Sequence, residues 1–353
     1  MTANPGPPIL TTPAGAQEAA NREGNAMKIR SLTALLMAMG LASASAAPVA
    51  DTVDAHVLAA QKAAGLDFPG TLEVLCIQPA DGSDPSAAAR AANAGRPRKD
   101  PPRESWYAEP AKVFDNVYWV GTKINSAWAI KTSAGIILLD TMYHYAAETE
   151  IIDGLKKLGL DPATIKYVIV THGHGDHDEG AKMLQDRYGA RIIMGGPDWD
   201  AITKANNMPG GVPKRDIVAT DGQKVTLGDE TVTILLTPGH TLGTLSMIFP
   251  VKDNGKTLTV AYSGGMGFNF PRSPERFDTY IASVKKFGDA AKAAGATIIF
   301  SNHSMYDQAW IRSRWQRKPG EESPFVVGTD GVARYATVMS ECAKAAKLRL
   351  KGA

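Results

Sequence analysis

Cysteine is almost missing from this chain: its 353 residues include Cys76 and Cys342 and no others. A scaffold stapled by several disulfides is therefore excluded, and neither residue sits in a CxxC or metal-ligand spacing, which excludes a thiolate metal centre as well. An excess of one charge is missing too. With 38 Lys and Arg against 36 Asp and Glu, the formal charge is +2, too little to draw nucleic acid or an anionic membrane as a partner. The apolar run Leu32 to Leu41 is too short to span a bilayer, and no solenoid-type repeat is present. What remains is a globular composition, 44% hydrophobic, long enough for one large domain or two ordinary ones.

The first compositional break lies near the N-terminus. Met27-Lys28-Ile29-Arg30 is a basic start, Leu32 to Leu41 follows, and the small residues Ala42 to Ala46 offer A-x-A cleavage before Ala47. Residues 27–46 are thus expected to be a signal peptide, directing the product to the periplasm or outside the cell, with no membrane association after cleavage. Residues 1–26 are Pro- and Ala-rich without periodicity and are expected to lie upstream of the true start. Export gives the two cysteines a meaning: a Cys76–Cys342 disulfide, structural rather than catalytic, is favoured over two inert buried thiols.

Residues 47–103 read as an N-terminal extension with a linker. Apolar spacing suits a helix from Thr52 to Ala64, Leu66 to Ile77 could complete a small cap, and Gln78 to Arg103 has no apolar period. Residues 104–353 form the main domain with a C-terminal helix. Strands are expected at Val117 to Gly121, Ala127 to Thr132, Gly135 to Asp140, Ile165 to Thr171, Arg191 to Met194, Lys224 to Leu227, Glu230 to Leu236, Thr244 to Phe249, Thr257 to Ser263 and Thr297 to Ser301. Helices are expected at Ala146 to Leu158, Gly180 to Tyr188, Pro197 to Lys204 and Pro274 to Ala294. Two strand-rich halves with outer helices imply an α/β fold of the αββα sandwich type.

Of seven histidines, three crowd into His172-Gly173-His174-Gly175-Asp176-His177 directly after a strand. Imidazoles and a carboxylate at a strand end form a borderline-soft nitrogen and oxygen ligand set, and the two glycines let the loop close round an ion. Two further histidines follow strands in the same way, His240 after Thr237-Pro238-Gly239 and His303 after Ser301-Asn302. A lone histidine in such a place is more often structural; beside the cluster, both are read as ligands. His56 and His144 are not assigned to metal.

The motif His-x-His-x-Asp-His with two later histidines resembles that of the metallo-β-lactamase superfamily, over roughly Glu104 to Arg317. The resemblance implies two zinc ions: one held by His172, His174 and His240, the other by Asp176, His177 and His303. Asp140 would orient the cluster from behind by accepting imidazole N–H bonds. The segment Ala261 to Phe268 has no carboxylate, whereas glyoxalase II-like enzymes and many lactonases place a bridging aspartate there. It has no cysteine either, which leaves similarity to the third subclass of class B β-lactamases, with Ser263 at the matching serine. A second serine of that subclass is replaced by Gly265, so Asn269 or Arg272 is the candidate anchor for a substrate carboxylate, and Leu242 and Leu245 differ from the smaller residues usual there.

The expected activity is hydrolysis of a β-lactam, a cyclic amide, by hydroxide generated between the two zincs, with Asp176 orienting it and no serine nucleophile. Ser263 would hold a water on the second zinc, while Trp128, Tyr262, Tyr143 and Tyr306 are candidates for the pocket wall. The alternatives are a zinc hydrolase of another cyclic amide, ester or lactone and, from a different class, a non-catalytic zinc-binding periplasmic protein. The expected partner is a small-molecule substrate, and the default state a monomer.

Overall fold

Period-two burial builds the centre of the molecule. In the computed structural model, which describes residues 50–79, 83 and 99–350, strand β4 (Gly135–Leu139) sends Ile137 and Leu139 to one buried face and Ile136 and Leu138 to the other. Strand β5 (Ile165–Ile169) does the same with Ile169 against Val168. The run Ile136 to Leu139 is unbroken and apolar because both faces of β4 are covered. The expected leader residues 27–46, the segment upstream of them and most of the linker lie outside the described residues. Those described belong to one unit, Pro48–Ala353.

One sheet has seven strands: β1 (Ala111–Lys112), β2 (Val117–Trp119), β3 (Trp128–Thr132), β4, β5, β6 (Arg191–Gly195) and β7 (Ile217–Ala219), in that order. The other has five, in the order β12 (Ile298–Ser301), β11 (Lys256–Ser263), β10 (Leu245–Asp253), β9 (Glu230–Leu236) and β8 (Lys224–Leu227). Their inner faces meet in a core that includes Trp128, Ile137, Met247, Phe249 and Phe300. Trp128 stacks on Phe300 with ring centroids 3.7 Å apart. Outside the first sheet lie the helical stretch from His144 to Lys157, α3 (Ala181–Tyr188) and α4 (Gly196–Ala205). Outside the second lie α1 (Val53–Ala64), α2 (Pro69–Cys76), α5 (Pro274–Ala293) and α6 (Gly328–Arg349). The architecture is the αββα sandwich.

Strand direction then decides where function can sit. β4 runs parallel to β5, and β11 parallel to β12, with α5 as the crossover. β9 and β11 each pair antiparallel to β10, so they point the same way. The loops following β9, β11 and β12 therefore leave from one edge of the second sheet, as those following β4 and β5 leave from one edge of the first.

Some boundaries differ from the sequence expectation. Strand β10 continues to Asp253 through Pro250, because its pairing with β9 stops at Ile248 and leaves Pro250 no ladder donor to supply on that side. Asn254 and Gly255, both with positive φ, then turn the chain into β11. The helix expected from Ala146 begins at His144 and widens into a π-helical stretch, Ala147–Ile152. Strand β7 was not foreseen. No described helix is long and apolar enough to cross a membrane.

Cys76 at the end of α2 is bonded to Cys342 on α6, so the N-terminal helices are tied to the C-terminal one. Replacing both cysteines by serine is expected to lower unfolding free energy by about 2–4 kcal/mol, measured by denaturant melts with and without reductant. Glu150, fully buried on the π-helical stretch, gives a second test. Burial pushes its carboxyl from the ordinary 4.5 up to about 8, against a smaller pull downwards from the Ala108 backbone. Between those values the unfolded chain releases a proton that the folded chain keeps, so stability falls as pH rises through that window. Glu150→Gln is expected to flatten this slope, raising the melting temperature near about pH 8 relative to the parent chain, but not near about pH 4.

Candidate metal centre

The chain leaves β5 at Ile169 and places the histidine cluster on the loop and short helix that follow, with Gly175–Asp178 helical. His172 is fixed from behind: its Nδ1 lies 2.8 Å from the Gly264 carbonyl at the end of β11, while Nε2 faces His240 Nε2 at 3.0 Å. His240, on the loop between β9 and β10, repeats the arrangement, with Nδ1 2.7 Å from the Gly267 carbonyl. His174 Nδ1 completes the triad 3.1 Å from His240 Nε2. An imidazole that donates through Nδ1 to a carbonyl presents an unprotonated Nε2.

The second triad is Asp176, His177 and His303. His177 Nε2 lies 3.2 Å from His303 Nε2 and 3.2 Å from an Asp176 oxygen, which is 3.4 Å from His303 Nε2. His177 Nδ1 meets Asp140 at 3.0 Å. Asp140, at positive φ after β4, also accepts the Thr171 backbone N–H at 2.7 Å and the Thr171 hydroxyl at 2.9 Å. The carboxylate thus fixes the start of the ligand loop as well as one ligand.

Electrostatics separates the triads. Burial, reinforced by neighbouring imidazoles, holds His172 well below the ordinary histidine range and His240 down at about 3. Burial also opposes a charge on His177, but Asp176 and Asp140 outweigh it and hold the imidazolium up to about 10. Burial disfavours an ionised Asp176, yet His177 overcomes it and keeps the carboxyl below its usual range.

These donor sets fit metal ions. In the first triad, the Nε2 atoms of His172 and His240, left bare by the Nδ1 bonds to carbonyls, face one another at 3.0 Å with no proton to share between them, an arrangement that a cation relieves. Each triad gathers one ligand atom per residue within 4.8 Å. The two leading histidines with His240, and the aspartate with its following histidine and His303, are the groupings expected from the sequence.

A cavity of about 270 Å³ opens over both triads. Asn269, Arg272 and Tyr306 line it, as the sequence reading anticipated, together with Met266, Phe268 and, from α2 and its end, Val74 and Gln78. Arg272 donates to the Phe268 and Ser83 carbonyls and to Gln78 Oε1. Other expected pocket residues are placed elsewhere. Trp128 and Tyr262 lie in the core between the sheets, because inward parity on β3 and β11 puts them there. Ser263, one residue on, faces outward beneath α6, 4.0 Å from Met339 Sδ, which separates it from the triads. Tyr143 packs on Tyr145, Leu242 is exposed, and Leu245 is buried in the sandwich. His56 pairs with Glu341 and His144 with Glu179.

Two asparagines escaped the sequence reading. Asn125 donates to Asp176 at 2.9 Å and lies 3.2 Å from His303 Nδ1. Asn302 donates to the Gly264 carbonyl at 2.7 Å and to Thr171 Oγ1 at 3.1 Å. Asn302 follows β12 beside His303, a signal that could have found it; Asn125 carries no local mark.

Comparison with known proteins agrees with this geometry. The chain is 30% identical to a subclass B3 metallo-β-lactamase of Bradyrhizobium japonicum, over 67% of this chain and 93% of that one, with a TM-score of 0.56. Residues 120–253 match the metallo-β-lactamase superfamily. The chain belongs to that superfamily. A β-lactamase from Chitinophaga pinensis, 23% identical, covers 72% of this chain and 99% of its own with a TM-score of 0.60, a likeness of fold. Among curated proteins, a hydroxyacylglutathione hydrolase of Acidiphilium cryptum is 30% identical over 45% of this chain. The match spans 58% of that enzyme's length. Superfamily members bind zinc, and membership makes this chain a candidate metallo-hydrolase.

Asn125→Ala is expected to leave the first triad intact and to weaken zinc binding at the second by about 10-fold, measured as the loss of one of two zinc equivalents on dialysis against a graded chelator series.

Proposed function

We propose that this protein is a two-zinc hydrolase that opens β-lactam rings. The observation that carries the reading is the extent of the likeness to the Bradyrhizobium japonicum subclass B3 enzyme, which runs over 93% of that chain. The likeness to the hydroxyacylglutathione hydrolase stops at 58% of its length. The ligand pattern supports it: the candidate triads are distinct, with no carboxylate shared between them, and Ala261 to Phe268 contributes none.

Zinc bound at the two triads supplies Lewis acidity towards a carbonyl oxygen and makes water acidic enough to attack at neutral pH. The chain's own residues prepare the place. The carbonyls of Gly264 and Gly267 hold His172 and His240 in the tautomer that offers Nε2. Asp140 and Asn125 restrain the second triad, and Asp176 is kept ionised to bind and orient. Met266, Phe268 and Tyr306 wall the cavity and exclude bulk water from a small substrate. Asn269 is the proposed polar contact for a substrate carboxylate, while Arg272, engaged with Phe268, Ser83 and Gln78, braces the rim.

A second reading takes an ester or thioester as substrate, favoured by the relatives named hydroxyacylglutathione hydrolase. The proposed setting is the periplasm or outside the cell. The disulfide supports this, since such bonds persist in oxidising compartments, as does the leader-like stretch from Met27 to Ala46. A monomer acting on a small molecule is proposed.

Zinc-loaded protein is expected to hydrolyse a chromogenic cephalosporin and a carbapenem, with turnover abolished by a chelator, restored by zinc and absent in His240→Ala. Negligible lactam turnover beside zinc-dependent cleavage of S-lactoylglutathione would transfer the assignment to the second reading.

A further inference from the structure

Asp198 lies on α4, the helix following β6, outside the ligand motif, and is only 4% exposed. Its carboxylate reaches both loops that carry the first triad. Oδ2 accepts the backbone N–H of Gly173 at 2.9 Å, between His172 and His174. The same oxygen accepts the hydroxyl of Thr241, next to His240, at 2.7 Å. Oδ1 accepts the backbone N–H of Gly243 at 3.1 Å. Three donors from two loops thus converge on one buried side chain.

The glycines show how closely this clasp is fitted. A Cβ on Gly243 would stand 2.6 Å from the Asp198 carboxyl carbon, and one on Gly173 would stand 3.2 Å from Asp198 Cβ. At Gly243 a side chain would have to displace the carboxylate, and at Gly173 it would press on it. A charged acceptor serving buried N–H groups makes stronger bonds than a neutral one, and an amide could not replace it. Asparagine offers a single acceptor atom and turns an N–H₂ towards groups that are themselves donors.

We propose that Asp198 is the positioning residue of the tri-histidine site, setting the spacing of His172, His174 and His240 by clamping their two loops together. Its three hydrogen bonds fall on residues beside the ligands: Gly173, Thr241 and Gly243. The first triad depends on this carboxylate, whereas the second is restrained by Asp140 and Asn125. The proposal rests on the reading of the triads as metal sites, and its test reports metal binding without recourse to turnover.

The experiment titrates the apo-protein with zinc against a chromogenic chelator, and with cobalt(II) by its visible absorption, for the parent chain, Asp198→Asn, Thr241→Val and Thr241→Ser. Asp216→Asn, at a surface ion pair with Arg191, serves as control, and near-ultraviolet circular dichroism reports folding. Asp198→Asn is expected to weaken the first site by about 10- to 100-fold and to change the cobalt spectrum of that site. Thr241→Val, which removes one of the three bonds, should weaken it less, Thr241→Ser should restore parental binding, and the second site should hold its metal throughout. If Asp198→Asn does not fold, Thr241→Val decides. Parental affinity within twofold in every folded variant would overturn the proposal, as would equal weakening of both sites. A parent chain that takes up no metal would instead overturn the underlying reading.

Discussion

Unprotonated imidazole nitrogens held about 3 Å apart repel one another, and the surrounding structure must keep them there until a cation arrives. The Nε2 atoms of His172 and His240 are in that position, 3.0 Å apart. Each is held by a part of the backbone that does not depend on metal: His172 by the carbonyl after β11, His240 by the carbonyl of Gly267, and both loops by the core strands from which they emerge. The sandwich matters to function chiefly because it can bear this load. Stacked Trp128 and Phe300 and the inward-facing aliphatics of both sheets form a close-packed interior that yields little to local strain.

A polar knot beneath the ligands joins the two sheets. Asp140 comes from the end of β4, Thr171 from the end of β5, and Asn302 and Gly264 from the ends of β12 and β11. These groups hydrogen-bond to one another in a buried place, while the Asn302 amide oxygen takes no part in the bonding. The histidines are therefore positioned by an interaction between sheets as well as by local loop geometry, and the two triads share a foundation while differing in charge. In the first, burial keeps His172 and His240 neutral; the second carries an ionised aspartate, and the carboxylates around His177 favour positive charge there, whether a proton's or a metal's.

How much of this was legible in the sequence follows from the distance over which each signal acts. The ligand residues could be read because four of them crowd one loop and the other two repeat its strand-then-histidine context. The strands could be read because runs such as Ile136 to Leu139 are apolar on both faces. Trp128 and Tyr262 misled as pocket candidates, since an aromatic near a strand end looks the same whether it faces a core or a cavity. Parity decides between them, and parity depends on a register that only pairing fixes. Asn125, Asp198, Val74 and Gln78 left no trace because their partners lie far along the chain: Asn125 meets Asp176, and Asp198 meets Gly243.

The disulfide has a temporal side. Cys342 follows Cys76 by 266 residues, so the clasp that secures α2 has to wait until a ribosome has added them. Val74 and Gln78, which border the cavity, are among the first described residues to emerge and among the last to be fastened. One wall of the cavity is in this way secured only in a molecule whose thiols have met an oxidant.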